Sequence, residues 1–500
     1  MPSRSQDCKR LHPSSLLFSA GAAARNLLLP GLAVLFAARG SNYELWLMVL
    51  FVPAVVAGLI KYITFSYRLD GHEMVIREGV LTRNERHIPY GRIQNVDLIQ
   101  NPIHRLLRVA EVRLQTASGD KPEAVIKVLS LAAIEILRDH VFEHRRPGPA
   151  TDVEGEPPAA PEPSQTLLKL APGELVLLGL ISNRGMAVVA AALGLLYQTD
   201  MFRLDRYIAS PDVQDWLKHE TLPGPVSTAL AVLALFLAAL VLLRVFSVVW
   251  NLVKFYGFTL TRTGDDLRAE YGLLTRVSAT IPRHRVQLVS LRSGPLHRLF
   301  ERTSIQVETA GGAKGEQGQG RERQWLAPLI PAARAGELVR NVLHEIDVDE
   351  TSWNSVAPGA RRRILRRSLV VTVLAAGIVG AAGEWWWALV LGLPGALWSW
   401  LHAGLYVKYA GWSVGGACAA YRSGWWQRQA SFVLFSKMQA VSLHASPFDR
   451  RNRMATLAVD TAGAGRVGHS VDIRYLPEDE ARTTCEWLGA EAGRTEFRWL

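Results

Sequence analysis

A sequence block that recurs three times constrains this chain more than any other feature. Its first copy is Gly79-Val-Leu-Thr-Arg83, then Ile88-Pro89, Arg92-Ile-Gln94, Pro102-Ile-His-Arg105 and Gln115-Thr116-Ala117. The second is Gly272-Leu-Leu-Thr-Arg276, Ile281-Pro282, Arg285-Val-Gln287, Pro295-Leu-His-Arg298 and Glu308-Thr309-Ala310. The third is Gly424-Trp-Trp-Gln-Arg428, Val433-Leu434, Lys437-Met-Gln439, Pro447-Phe-Asp-Arg450 and Asp460-Thr461-Ala462. In every copy the basic residue at 92, 285 or 437 precedes the proline by ten residues and the next arginine by thirteen. The threonine follows that arginine by eleven. Constant spacing across three copies marks an internal repeat, so the fold is one unit built three times.

The unit reads as a small β-domain. Gly79, Gly272 and Gly424 punctuate a hairpin between two strands. Val286-Gln-Leu-Val-Ser-Leu291 and Ile305-Gln-Val-Glu-Thr309 place apolar side chains at alternate positions, the period of a strand. Pro295 opens a short helical turn, where its fixed φ and missing donor cost least. Amphipathic helices close the units at Leu131 to His144, Pro331 to Ile346 and Pro477 to Gly489.

This set of motifs (Gly-Leu-Leu-Thr-Arg, Ile-Pro, Arg-Val-Gln, Pro-Leu-x-Arg-Leu-Phe, Val-x-Thr-Ala) resembles the bacterial pleckstrin-homology domain of the YdbS/YdbT membrane-protein family. Several copies in one chain, each preceded by membrane helices, are similar to the YdbT type. In the third copy Leu434 replaces the proline and Asp449 the histidine. The resemblance implies a PH-like β-sandwich closed by a C-terminal helix, held at a membrane, with no catalytic residues and no cofactor. It also implies a shorter, single-repeat relative as partner.

Apolar runs supply the membrane. The hydrophobic fraction is 49% although 20% of residues are charged, so apolar residues are gathered in blocks. Leu16 to Ala38, Leu45 to Ile63, Leu175 to Tyr197, Val226 to Trp250, Ser368 to Ala382 and Trp386 to Tyr406 read as six spans, since about 20 apolar residues cross the hydrocarbon core. Trp385, Trp386, Trp387, Trp398 and Trp400 suit an interfacial aromatic belt.

The expected fold class is therefore membrane α+β, with three tandem units of two transmembrane helices followed by a PH-like β-sandwich and its C-terminal helix. The boundaries are an N-terminus at 1–15 and a first helix pair at 16–64 with its domain at 65–144. A Pro-rich linker at 145–170 leads to a second pair at 171–254 and a domain at 255–346. A basic linker at 347–367 leads to a third pair at 368–406 and a domain at 407–500. Lys and Arg gather beside the first, third and fifth spans and in the repeats, which places both termini and all three domains in the cytoplasm of a bacterial inner-membrane protein.

A net charge of +11 requires an acidic partner. The membrane spans select anionic lipid headgroups over nucleic acid. Cys8, Cys418 and Cys485 have no metal or disulfide spacing. His140-Val-Phe-Glu143-His144 matches the spelling of inverted zincins, but the equivalent helices lack it and no further acidic ligand follows. The glycine-rich 311–320 stretch lacks the Gly-Lys-Ser/Thr ending of a phosphate loop, and no acid, base or nucleophile recurs with the repeat. The recurring candidates are basic: Arg83, Arg92 and Arg105; Arg276, Arg285 and Arg298; Arg428, Lys437 and Arg450. They can hold phosphate or carboxylate groups, or structural carboxylates and carbonyls. Arg92 and Arg285, beside strands, are expected to be structural, and Arg105 and Arg298 to be more exposed. The function expected is non-catalytic binding or scaffolding at the membrane. A transporter, with Arg25 and Arg184 on its path, or a component of an export or resistance complex is the alternative.

Overall fold

In the computed structural model the described residues are 9–10, 15, 59–60, 63–70, 72–79, 83–90, 93–116, 124–143, 164–182, 225–310, 324–383, 385–461 and 471–494. Most of the expected first helix pair and of the span 175–197, together with Arg25, Arg92, Arg184, the 147–163 linker and the 311–320 loop, lie outside them.

The first unit contains β1 (Lys9–Arg10), β2 (Ser66–Leu69), β3 (Glu73–Glu78), β4 (Asn84–Pro89), β5 (Ile93–Gln100), β6 (Val109–Thr116) and β7 (Ala124–Ser130), and ends in the helix Leu131–Glu143. The second contains β8 (Gln165–Lys169), the helices Pro172–Ile181 and Pro225–Phe255, β9 (Thr259–Thr263), β10 (Asp266–Tyr271), β11 (Arg276–Pro282), β12 (Val286–Ser293), β13 (Arg302–Thr309) and β14 (Gln324–Pro331), with Ala332–Val342 as its closing helix. The third contains β15 (Asn354–Ser355), the helices Ala360–Ala382 and Trp386–Tyr409, β16 (Gly411–Gly415), β17 (Cys418–Ser423), β18 (Arg428–Leu434), β19 (Met438–His444), β20 (Met454–Thr461) and β21 (Val471–Pro477), and closes with Glu478–Arg494. Phe236–Phe255, Ala360–Ala382 and Trp386–Tyr409 are long and apolar enough to cross a membrane.

The hairpin glycines do what the sequence requires of them. Gly79, Gly272 and Gly424 have φ of 103°, 114° and 82°, a region open to glycine at no steric cost. A Cβ at Gly272 would meet the Thr275 carbonyl oxygen at 2.0 Å. Each short helix is followed by a non-glycine residue in the same left-handed conformation: Arg108 at 51°, Glu301 at 51° and Arg453 at 50°. Their carbonyls accept from the backbone N–H of Leu131, Ala332 and Glu478, at the start of the closing helices.

Two expected boundaries are corrected. The 145–170 and 347–367 stretches are not linkers throughout, because β8 pairs with β9 and β15 with β16. Likewise β1 pairs with β2. The third domain thus takes its first strand from upstream of the helices Ala360–Ala382 and Trp386–Tyr409. The arginine run Arg361 to Arg367 belongs to the helix Ala360–Ala382: arginine is a good helix former and no glycine or proline interrupts it.

The units are not separate sandwiches. One sheet runs β7-β6-β5-β11-β10-β9-β8 and another β14-β13-β12-β18-β17-β16-β15. The second sheet of each unit therefore continues, edge to edge, into the first sheet of the next. The β1-β2-β3-β4 and β19-β20-β21 sheets stand at the two ends.

Candidate functional site

The two seams are where the recurring basic residues come together. Across the first, Arg276, Val277 and Ser278 of β11 face Gln100, Ile99 and Leu98 of β5. Across the second, β18 residues Arg428 to Val433 face β12 residues Ser293 to Leu288. The second seam is the drier one. Phe432 and Val433 are buried, and the Ser290 and Ser431 hydroxyls meet at 3.3 Å.

Repeated cations fasten both seams. Arg105, on the helix Pro102–Leu106, donates from Nη1 to the Leu273 carbonyl at 3.0 Å. Arg298, on the helix Pro295–Leu299, donates from Nη1 to the carbonyls of Trp425 and Trp426 at 3.0 and 3.2 Å. Leu273 and Trp425 occupy the same position in their hairpins, just after the glycine, so the clasp is itself repeated. The Thr275 hydroxyl adds a bond to Asn101 Oδ1 at 3.1 Å. In the opposite direction, Lys437 Nζ donates to the His284 carbonyl at 2.7 Å. Burial, and then the neighbouring Arg428, push Arg298 below the usual arginine range. Burial likewise lowers Lys437, with Glu345 acting against it.

The remaining basic positions divide. Arg276 pairs within its unit with Glu270 at 2.8 Å. Arg428 lies over the Tyr409 ring at 4.5 Å. Arg285 is half-buried, and its carbonyl accepts from Ala310 N at 2.9 Å. Arg83 and Arg450 are exposed. Arg298, expected to be among the more exposed, is half-buried as a residue, with the next unit's hairpin lying over it. Arg105 is exposed but bonded across its seam. His140 and Glu143 fall in the last turn of the helix Leu131–Glu143; their side chains and His144 lie outside the described residues.

One substitution in the third copy has a structural explanation. His104 Nδ1 accepts the Asn101 backbone N–H at 3.2 Å, capping its short helix. Asp449 takes this role in the third copy, accepting the Ser446 N–H at 3.2 Å. It also pairs with Arg363 at 3.2 Å, whose guanidinium lies 4.8 Å from the Phe448 ring centroid.

Sequence reasoning passed over Arg283. Its Nε donates to the Val342 carbonyl at 2.6 Å and its Nη1 meets Asp265 at 3.1 Å, tying the closing helix to the turn between β9 and β10. No counterpart exists in the other copies, so the repeat did not mark it.

An apolar rim accompanies the clasps. Leu106 is 83% exposed, Leu299 73% and Phe448 63%. Leu274 and Trp426, at the hairpin tips, are exposed as well. These tips adjoin the apolar helices: Leu273 N bonds the Val253 carbonyl, Trp425 Nε1 donates to His402 Nδ1 at 2.8 Å, and Trp425 meets Trp398 at 5.4 Å. Arg361 covers Trp400 at 5.4 Å. Trp398 and Trp400 therefore sit in the domain-side half of their helix, while Trp386 and Trp387 stack at its other end.

The bacterial PH domain family matches residues 21–145, 223–346 and 369–492. The UPF0699 transmembrane protein YdbT of Bacillus subtilis (strain 168) is 22% identical over 499 residues, covering 97% of this chain and 98% of that protein. No solved structure matches. With most of its length matched in three successive copies that coincide with the three structural units, the chain belongs to the bacterial PH domain family and is a transmembrane protein similar to YdbT.

Proposed function

We propose that this protein is a non-catalytic membrane scaffold, holding three PH-like domains as one array at the cytoplasmic surface for contact with lipid and with membrane-protein partners. The observation that carries this reading is the fastening of the units to one another by the repeated basic residues. Arg105, Arg298 and Lys437 are committed to backbone carbonyls, so headgroup recognition by these three is disfavoured. The apolar rim beside the helix ends is the better lipid contact, since amphipathic surfaces bury such side chains at the headgroup boundary.

The orientation has support from strand pairing. β15 precedes the third helix pair and β16 follows it, yet the two are hydrogen-bonded neighbours. This pairing supports both ends of the pair lying on one side of the bilayer, and the arginine-rich start of Ala360–Ala382 favours the cytoplasm as that side. Six spans, two per unit, complete the arrangement. An array anchored in this way raises the effective concentration of weak contacts. The partner expected is a shorter, single-unit relative.

Affinity capture from native membranes tests the reading. The wild-type chain is expected to retain a defined set of membrane proteins, with retention falling in Arg298→Ala, where the second seam is loosened. Capture of nothing above an untagged control, or ion flux through proteoliposomes in proportion to the chain, overturns it.

A further inference from the structure

The two seams share one register. Aligning the units on Gly272 and Gly424 turns Arg276 into Arg428 and Gln100 into Ser293, and both of these pairs face each other. The contact is head-to-tail: a β5-type edge of one unit meets a β4-type edge of the next. A heterologous contact of this kind does not satisfy its own ends. Three units make two seams and leave one edge of each type over.

Among the described residues those edges are β4 and β19, each terminal in its sheet. On β4, Asn84 to His87 are exposed. On β19, Gln439 and Ala440 are exposed, whereas their counterparts at the second seam, Gln287 and Leu288, are 6% and 1% exposed. The clasp is left over too. Arg450 is the counterpart of Arg105 and Arg298, and among the described residues its exposed guanidinium has no partner.

We propose that a second copy of this chain completes the pattern, β4 of one copy pairing antiparallel with β19 of another in the seam register. Arg83 then faces Ala445, Arg86 faces Ser442 and His87 faces Val441, with Arg450 in the role of Arg298. The occupant is specified by continuity with the seams, because a β19-type edge pairs with a β4-type edge at both of them. Met438 to Leu443 carry no charge, so nothing on β19 repels Glu85, Arg86 and His87. Those charges instead discourage indiscriminate strand pairing. Anchorage of both copies in one bilayer confines the search to a plane. The helix Glu478–Arg494 packs against the β19 sheet through Leu488, and its Trp487 meets Phe435 at 5.3 Å. Gln439 and Ala440 stay exposed beside it.

Disulfide trapping in native membranes tests the proposal, using the full chain with Cys8→Ser and Cys485→Ser. Two differently tagged copies are co-expressed, one carrying Arg86→Cys and the other Ser442→Cys. Positions 86 and 442 correspond to Ser431 and Ser290, whose hydroxyls are 3.3 Å apart across the second seam. The double variant Ser290→Cys/Ser431→Cys therefore calibrates oxidation within one chain. A linked dimer carrying both tags is expected, with neither variant linking to itself, and Arg450→Ala on the Ser442→Cys copy should lower its yield severalfold. Copies that stay monomeric where the calibrating pair oxidises mean that the closing helix caps the array, and overturn the proposal. Linking of the Arg86→Cys copy to itself, which reports a symmetric contact, overturns it as well.

Discussion

Arg298 sits half-buried with its charge on two carbonyls of another unit, while Arg450, its counterpart, has none. A hydrogen bond from a charged group is worth about 1.5–3 kcal/mol, and removing it leaves carbonyls unsatisfied. Arg298→Ala is therefore expected to destabilise the chain by about 2 kcal/mol. Arg450→Ala should change it by less than about 0.5 kcal/mol. Chemical denaturation of the two variants in detergent checks this; equal losses would show that the cross-seam bond contributes nothing. His104 gives a pH dependence. It is buried, and burial holds it below the usual histidine range, where its Nδ1 can accept the Asn101 N–H. The unfolded chain then binds the extra proton first. Stability from this site is complete above the unfolded value of about 6.5 and is lost as pH falls towards the depressed folded value. The drop in melting temperature from pH 7.5 to 5.5 should be smaller in His104→Asn than in the wild type. At this scale the sequence was half legible. Spacing identified which basic residues are equivalent, but equivalence does not say what lies opposite, and the partners of Arg105, Arg298 and Lys437 belong to another unit.

Elements were legible where a period or a breaker marks them. The hairpin glycines, the alternation of β12 and β13 and the proline-started short helices follow directly from local chemistry. The strands β1, β8 and β15 were not visible. They are two to five residues long, too short for a periodic signal, and owe their existence to a partner strand distant in the chain. Nor does sequence disclose the left-handed residues Arg108, Glu301 and Arg453, since none is glycine. An L-residue there costs about 1–2 kcal/mol in backbone strain. Glu301→Gly is accordingly expected to raise stability by roughly 0.5–1 kcal/mol, the relief of strain exceeding the added chain entropy. A thermal melt showing a loss would mean that the Glu301 side chain supplies more than the strain removes. Gly424→Ala should act oppositely, because its Cβ would meet the Gln427 carbonyl oxygen at 2.1 Å.

For the molecule as a whole, the triplication was readable but the fusion was not. Each copy can be recognised by its own spacings; that adjacent copies share a sheet depends on edges that any single copy leaves bare. The two seams differ in strength despite their common register. Leu260, Leu267, Val289 and Val307 of the second unit form one apolar cluster with Cys418, Ala420, Phe432 and Leu434 of the third. Among the described residues the first unit's cluster, from Phe65 to Leu137, contains no residue of another unit. Its seam has three registered pairs where the other has six. Burial of apolar area, at about 25 cal/mol per Å², therefore joins units two and three far more firmly than it joins one to two. A protease site placed within 147–163 exposes this difference. After cleavage in mild detergent the fragments should co-purify. With rising urea the first unit should leave while backbone amides of β12 and β18 remain protected from hydrogen exchange. Loss of β12 and β18 protection at or below the urea concentration that releases the first unit would refute the ordering, because the shared cluster would then be no stronger than a bare strand pairing.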